Sequence, residues 1–305
     1  MDKKVCQKFE NVWDAFPDTL TNDKYHEFKS NNILNSHCDN NQCEDDIKKI
    51  SAGFFYLLSG FFGDPKSFNF DEKSKNDIFY YIIIWLSYML NLKKNELNNS
   101  LEYFYKIDIS NQYKYTNSIA GFKEYSSYKD LLDKKKIVNM DIKAISKFYA
   151  PFKSLCNMYN EFNETKPNCD KCLEKAKEFV EAYEKLNGDS SITNDSSCNK
   201  LLCTLSTDYD NFKKKYDDIQ SCNSSPLPTI KKSEKCVQRS HLILEQISGD
   251  TSSSSIGNKL FTVNNKELKK KYYIYANINK ENVCFLTFYI SIRYLDFGND
   301  LKNNK

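Results

Sequence analysis

The chain has 305 residues, of which 40% are hydrophobic and 14% aromatic, and this is enough apolar material to bury a sizeable core. Its 44 basic and 41 acidic residues are interspersed and leave a net charge of +3, so no single-sign field exists that would attract a nucleic acid or an anionic membrane. Only 8 glycines and 6 prolines argue against sandwiches and barrels, which need frequent turn residues, and favour long helices.

Two amphipathic helices are predicted before Gly63. In residues 5–16 the apolar side chains recur at spacings of three and four, and Pro17 ends the helix. A loop rich in Asn follows. The second helix covers residues 47–62 and is stopped by Gly63.

The stretch NDIFYYIIIWLSYMLNL, residues 76–92, is apolar on every side of a helical wheel, so it must be buried in a large core or in a membrane. Its apolar run is broken by Ser87 and Asn91 and falls short of the roughly 18 to 20 residues that a bilayer span requires. We therefore interpret it as the central helix of a helical domain, with Ser74 as its N-cap. A buried β-strand over residues 81–86 is disfavoured because the flanks lack Gly and Pro.

Helical spacing is weak over residues 97–128 and regular again afterwards. Residues 140–162 place apolar side chains on one face, and Pro151 should kink this helix or begin a new one because proline lacks a backbone donor. Two further stripes cover residues 169–186 and 198–219. Gly188 is the predicted C-cap of the first, so the two helices should fold back as an antiparallel hairpin.

The hairpin predicts which cysteines lie close together. In an antiparallel pair the start of the first helix faces the end of the second, which brings Cys169 and Cys172 near Cys222. Cys156, on the preceding helix, would lie within reach of them. A disulfide there would tie three helices at one end of the domain.

A second staple is predicted at the other end, from Cys6, Cys38 and Cys43. Each closed loop contributes on the order of 2 to 4 kcal/mol, but spacing does not fix the pairing. Since eleven cysteines is an odd number, at least one thiol stays free or pairs between chains. The cysteines interpreted as structural are Cys6, Cys38, Cys43, Cys156, Cys169, Cys172, Cys198, Cys203 and Cys222.

The character of the sequence changes after Cys222. Residues 223–262 contain SSPLP, a basic KKSEK and TSSSS with few apolar residues, and are predicted to be a low-complexity linker that never packs. Residues 263–305 form a tail rich in Lys, Asn and Tyr, whose apolar stretch 283–292 is too short to cross a bilayer as a helix. Residues 1–222 are therefore predicted to be the folded helical domain.

A zinc site is the most specific chemical alternative. Cys169, Cys172, Cys198 and Cys203 would supply four thiolates to an intracellular zinc-binding helical module. The gap of 25 residues between the two pairs is long for a compact zinc module, and both pairs begin helical stripes. A redox role for the CxxC pair is weaker still, because no βαβ unit surrounds it.

Other functional signals are weak. A hydrolase would need His26 or His37 in one pocket with a nucleophile, whereas both lie in polar segments typical of surface histidines, and His241 lies in the predicted linker. No glycine-rich phosphate-binding motif occurs, and aromatic residues at helical spacing indicate a core more than a nucleic-acid platform. We expect no enzyme activity, no cofactor, no nucleic-acid partner and no small-molecule substrate.

Several stretches taken together resemble one known family. They are MDKKVCQKFENVWDAFPD, FFYLLSGFFGD, YYIIIWLSYMLN, YKDLLDKKKIVNMDIKAISKFYAPFKSLCNMYNEF, CDKCLEKAKEFVEAY and CNKLLCTLSTDYDNFKKKY. Over residues 1–263 the chain looks like the Plasmodium interspersed repeat (PIR) variant antigens of malaria parasites, in the form typical of rodent-infecting species. The abundance of Lys, Asn and Tyr agrees with translation from AT-rich DNA.

This resemblance implies a function and a location. Such proteins form a multigene family with a cysteine-rich helical ectodomain, exported into the infected red cell or shown at a parasite or host-cell surface. The implied roles are antigenic variation, immune evasion and host-cell interaction, with host-cell surface proteins or antibodies as partners and no enzymatic activity. Members commonly lack an ordinary signal peptide, which bears on an apparent conflict here: eleven cysteines favour an oxidising compartment, yet MDKKVCQKFENVW has no apolar signal segment.

The tail departs from the family pattern. Members usually continue from a segment like SSSSIGNKLFTV into a transmembrane helix and a short basic tail, whereas here Val263 is followed by NNKELKKKYYIYANINKENVC. We hypothesise that the last coding segment is replaced through intron read-through, a gene-model error or alternative splicing. Sequencing the transcript across the codons of Val263 and Asn264 tests this. With the tail as written, we expect no self-contained membrane span and a soluble or secreted chain.

Overall fold

The structure is a computed structural model of the full chain. It describes residues 1–233 apart from residues 30, 39–40, 65–71, 94–100, 121–123, 164 and 166, and it also describes Cys236. The chain divides into two units, Met1–Ile243 and Leu244–Lys305, and all described residues belong to the first. The part of the predicted linker beyond Cys236 and the whole predicted tail therefore lie outside the described residues.

The first unit is all-α, which confirms the predicted fold class. Its described part contains no β-strand beyond an isolated bridge between Thr21 and Lys24. Short 3-10 turns at Asn35–His37, Ile137–Asn139 and Gln220–Cys222 and a π-helix at Tyr105–Ile109 connect the α-helices. The α-helices are α1 (Lys3–Ala15), α2 (Asp46–Phe62), α3 (Glu72–Asn91), α4 (Leu101–Phe104), α5 (Tyr113–Thr116), α6 (Tyr128–Lys134), α7 (Ile142–Ser146), α8 (Tyr149–Glu161), α9 (Cys169–Gly188), α10 (Ser190–Asn194) and α11 (Ser196–Asp217).

Most helix starts are fixed by a short polar side chain immediately before the helix. Such an N-cap accepts a hydrogen bond from one of the free N–H groups of the first turn, and its loss typically costs about 1 kcal/mol. Asp195, for example, accepts from the N–H of Cys198 at 2.7 Å. The N-cap side chains that bond in this way are Asp2, Asp45, Ser127, Asp141, Asn168, Asp189 and Asp195.

Helix α3 is the buried centre of this unit, as its all-round apolar pattern predicts. Residues 82–86 are all 0% exposed, and α3 lies against α2, α7 and α8. The helix begins at Glu72, so Ser74 lies inside its first turn and is not the N-cap that we predicted. Local capping patterns do not fix a helix start when polar residues upstream are also compatible with a helix.

Aromatic stacking joins α1, α3 and α8. The ring of Tyr81 stacks on Phe152 with centroids 4.8 Å apart, and Phe9 meets the same Phe152 edge-on at 4.8 Å. Pro151 lies in the first turn of α8, where its missing N–H would have no intrahelical partner. Of the two outcomes predicted for Pro151, the structure therefore shows a new helix and not a kink.

Helices α9 and α11 form the predicted hairpin, with the short α10 between them. The rings of Phe179 and Tyr209 stack at 4.5 Å across the pair, and both residues are fully buried. Both helices contribute an apolar stripe to the common core. Their opposite faces carry charged residues, which is the pattern expected of outer helices.

The segment 223–233, which we call the strap, packs along this hairpin. The hydroxyl of Tyr216 donates to the carbonyl of Ser225 at 2.8 Å, and that of Tyr209 donates to the carbonyl of Pro228 at 2.6 Å. Leu227 is only 3% exposed. The prediction that residues after Cys222 never pack is thus wrong for the strap. Tyrosines of α11 bond its backbone carbonyls, and the composition of a segment does not reveal such bonds.

Two glycines of α2 make a matched pair for a stability test. A Cβ on Gly53 would lie 2.5 Å from Cη2 of the buried Trp85 ring, whereas a Cβ on Gly60 would meet only the flexible end of Lys8. Alanine favours a helix over glycine by about 0.8 to 1 kcal/mol. We expect Gly60→Ala to be neutral or stabilising and Gly53→Ala to lower the free energy of unfolding by about 1 to 3 kcal/mol, measured by urea denaturation. Equal effects of the two substitutions would contradict the close packing of Trp85 on Gly53.

Candidate functional site: the disulfide frame and two buried thiols

Four disulfides cross-link the described residues. Cys6–Cys156 joins α1 to α8 with Cα atoms 4.9 Å apart, and Cys169–Cys222 joins the start of α9 to the turn after α11 at 5.4 Å. The other two are Cys38–Cys43, in the loop before α2, and Cys203–Cys236, which fastens the segment after the strap to α11. The two longest connections, of 150 and 53 residues, each close a loop that includes several helices.

The pairing differs in part from the two predicted staples. Cys169 and Cys222 are bonded to each other, but Cys156 bonds with Cys6, which we had assigned to the opposite end of the domain. The difference arises because α1 lies directly against α8, a contact between distant parts of the sequence that spacing does not encode. Cys38 and Cys43 pair locally with each other.

Cys236 was not among the cysteines that we predicted to be structural. It lies in the segment that we interpreted as an unpacked linker, and it is 3% exposed and bonded to Cys203. A cysteine in a low-complexity stretch was the one available signal, because unpaired cysteines are rare in an oxidising compartment. Cys284 lies outside the described residues.

The zinc alternative is not supported. Cys169 and Cys203 belong to two different disulfides, so two of the four proposed thiolates do not exist in this structure. Among the described residues, no group of three or more His, Cys, Asp or Glu side chains is arranged to hold a metal ion. Cys172 and Cys198 remain as free, buried thiols.

Both free thiols are held in the neutral form. Burial raises the pKa of Cys198 to about 12, and Asp195 and Asp141 add to the effect while Lys147 opposes it. Burial also raises the pKa of Cys172, with a further contribution from the Glu161 carboxylate. A thiol in this form is a poor nucleophile and a poor metal ligand.

The shift at Cys198 predicts an alkaline loss of stability. The thiol ionises near its ordinary value of 9 when the chain is unfolded but stays protonated in the fold, so its contribution is complete below that pH and is lost as the pH rises towards 12. We expect urea denaturation to show a steeper loss of stability for the wild type than for Cys198→Ala between about pH 8 and about pH 10. The tyrosines titrate in both proteins, so parallel profiles would contradict a shifted Cys198.

Three carboxylates that the sequence did not predict join different segments of the chain: Asp208 and Asp108 are buried, and Asp18 is partly buried. Asp208, on α11, accepts from the hydroxyl of Tyr81 and lies 2.7 Å from the amino group of Met1. Burial, and after it the charge of Asp208, raises the pKa of Tyr81 well above 10. The tyrosine therefore stays a neutral donor, and the cluster links α3 to α11 across the core.

The other two carboxylates also accept hydrogen bonds from other segments of the chain. Asp108, in the π-helix, is 2% exposed and accepts from Ser51 of α2 and from Gln112. Asp18 accepts from the hydroxyl of Tyr149 at 2.5 Å and from Lys153 at 2.6 Å, which ties the loop after α1 to α8. Each carboxylate joins segments that are far apart in sequence, and a buried polar group of this kind is stable only when it is fully hydrogen-bonded.

The histidines do not form a shared site in the described structure. His26 lies within hydrogen-bonding distance of Thr19 and Thr21. The ring of His37 makes T-shaped contacts with the rings of Phe55 and Tyr56, and burial together with Lys114 and Lys8 lowers its pKa. The two histidines thus have separate partners, and His241 lies outside the described residues.

The described surface is mostly polar, with a few exposed apolar side chains. The large apolar residues with the greatest exposure among the described residues are Tyr113 at 79%, Ile107 at 50%, Ile33 at 47% and Val138 at 39%. None of the described helices has the combined length and hydropathy of a bilayer-spanning segment.

Comparison with known sequences decides the family. A sequence model described as Plasmodium variant antigen protein Cir/Yir/Bir matches residues 6–265. The chain belongs to this family. Membership confirms the resemblance to PIR antigens, and the matched range ends two residues beyond Val263.

A solved structure supports the same family membership. The chain is similar to the protein in "Structure of a Plasmodium PIR protein ectodomain", with 36% sequence identity and a TM-score of 0.54. The match covers 74% of this chain and 99% of that one. No curated protein matches the chain significantly. The family and the ectodomain fold point to a non-enzymatic surface or exported antigen.

Proposed function

We propose that this variant antigen is displayed to the host, on the infected red cell or at a parasite or host-cell surface, and acts in antigenic variation, immune evasion and host-cell interaction. Its partners in this proposal are host-cell surface proteins or antibodies. The proposal includes no catalytic step, cofactor, nucleic acid or small-molecule substrate.

The disulfide frame is the observation that carries the proposal. Disulfides form and persist outside the reducing cytosol, and four of them cross-link a single helical unit here. A protein that works at an exposed surface also faces proteases and lacks chaperones. Cross-links that limit the unfolded state suit that setting.

The arrangement of charge on the outer helices supports a variable surface. Lys185 pairs with Glu181 at 3.1 Å and Lys213 pairs with Asp217 at 3.0 Å, each within one turn of its own helix. Exposed pairs of this kind contribute about 0.2 to 1 kcal/mol each. Such positions can therefore change between family members while the buried aromatic core and the disulfides keep the fold.

Antibodies raised against the folded chain test the proposed location. We expect them to stain intact, unpermeabilised Plasmodium-infected red cells, and to lose this staining when the cells are treated with protease. Antibodies against a cytosolic parasite protein provide the control for cell integrity. Staining that appears only after permeabilisation would contradict display on the surface of the infected red cell.

A binding screen tests the proposed partners. The full chain is assayed against red-cell and endothelial surface proteins, with a reduced and alkylated sample of the same chain as control. We expect at least one host protein to bind the disulfide-bonded form and not the reduced form. Binding that is unchanged after reduction would show that the folded surface is not what the partner recognises.

A further inference from the structure

A free thiol lies one helical turn from a disulfide at the start of α9. Cys169 is the first residue of α9 and Cys172 is three residues further along, on the same side of the helix. Cys169 is bonded to Cys222, whereas Cys172 is free and fully buried. The three sulfur atoms thus belong to one helix end and the turn that is fastened to it.

Tyr216 of α11 lies beside Cys169 and Cys172 and also bonds the strap. Its hydroxyl lies 3.4 Å from the carbonyl of Cys169 and 2.8 Å from that of Ser225, three residues after Cys222. Cys172 is close enough to contribute to the raised pKa of this tyrosine. Ser225 also lies 3.5 Å from Asp170. The start of the strap therefore covers the helix end that carries both Cys169 and Cys172.

We propose that Cys172 is a resolving thiol that can exchange the Cys169–Cys222 disulfide for a Cys169–Cys172 disulfide and so release the strap at its base. Residues three apart in a helix have Cα atoms about 5 Å apart, within the range that a disulfide spans. The Cys172 thiolate attacks Sγ of Cys169, the Cys169–Cys222 bond breaks, and Cys222 leaves as a thiolate that takes up a proton. One disulfide breaks and one forms, so no oxidant or reductant is needed.

The resting structure keeps this exchange slow. Three groups lie near Cys172: Glu161 of α8, Tyr216 of α11 and Lys171 of its own helix. The charge of Glu161 disfavours the Cys172 thiolate, and that of Lys171 favours it. Burial is the largest influence and also disfavours the thiolate. Raising the pH, or loosening the start of the strap, therefore increases the fraction of Cys172 that can react.

After exchange, the strap would be held differently. Cys222 would be a free thiol, and the turn Gln220–Cys222 would no longer be linked to α9. The Cys203–Cys236 bond would still hold the segment after the strap. The inference concerns a conformational change in the ectodomain and does not depend on the proposed function.

Disulfide mapping of the full chain tests the proposal. The oxidised protein is incubated at mildly alkaline pH, alkylated with N-ethylmaleimide in denaturant, and digested with trypsin without reduction. Cleavage after Lys171 separates Cys169 from Cys172, so the three possible pairs give three different sets of linked peptides in mass spectrometry. We expect the Cys169–Cys172 species to accumulate with time, together with alkylated Cys222.

Two alanine variants distinguish this exchange from random scrambling. Alkylation of Cys222 should fall to background in Cys172→Ala and remain unchanged in Cys198→Ala, which removes the other buried thiol. Circular dichroism checks that both variants are folded. Three results would each overturn the proposal. They are equal alkylation of Cys222 in Cys172→Ala, a Cys172–Cys222 product, and a Cys169–Cys222 bond that stays intact in wild-type protein although Cys172 has become reactive.

Discussion

Replacing Cys6 and Cys156 together by alanine is expected to lower the free energy of unfolding by about 5 kcal/mol. The bond closes a loop of 150 residues, and a cross-link that spans more of the chain removes more entropy from the unfolded state. Both cysteines are 0% exposed, so the substitution also removes buried contacts between α1 and α8. Urea denaturation measures the loss, which is large against the 5 to 15 kcal/mol that stabilises a typical domain.

The Cys38–Cys43 bond provides the matched control. It closes a loop of only five residues, for which the same entropy relation gives about 2 kcal/mol, and both cysteines are only partly buried. Cys38→Ala with Cys43→Ala should therefore cost less than half as much. If the short loop proved as important as the long one, the frame would not act by restricting the unfolded chain.

Trp85→Ala is expected to destabilise the protein by about 3 to 5 kcal/mol, the range typical of a buried aromatic side chain in a core. Trp85 is 0% exposed at the middle of α3, and its ring lies directly over Gly53 of α2. Alanine there would leave a cavity at the contact between the two most apolar helices of the unit. Equilibrium unfolding followed by far-ultraviolet circular dichroism measures the loss.

Trp85→Phe separates packing from polarity at this position. Among the described residues, the buried indole Nε1–H of Trp85 has no hydrogen-bond partner, so phenylalanine removes an unsatisfied donor while it keeps an aromatic ring. We expect about half of the alanine loss or less. A phenylalanine variant as unstable as the alanine variant would mean that Nε1 makes an essential bond.

Periodicity was enough to predict most long helices of the fold. The apolar run from Ile78 to Leu90 required burial on all sides, and a helix at the centre of the core is the arrangement that provides it. Proline chemistry predicted a break in residues 140–162, where α7 ends and α8 begins. These features are local, so the sequence carries them directly.

Contacts between distant segments could not be predicted in the same way. Cys6 reaches Cys156 because α1 packs on α8, and Asp208 reaches Tyr81 across 127 residues. Short helices within residues 101–116 have too few turns for periodicity to show, and they carry the buried Asp108. The strap escaped prediction because its hydrogen bonds to Tyr209 and Tyr216 are accepted by backbone carbonyls, which have no side-chain signature.

Hydrogen exchange of the full, oxidised chain tests most directly whether a buried α3 inside a cross-linked helical frame holds the helical unit together. Mass spectrometry follows the exchange. Backbone amides of residues 78–90 should exchange more slowly than those of the short helices within residues 101–116 and those of the strap. Reduction of the disulfides should speed exchange throughout α1, α8 and α9. Amides of residues 78–90 that exchange as fast as those of residues 101–116 in the oxidised protein would contradict the account.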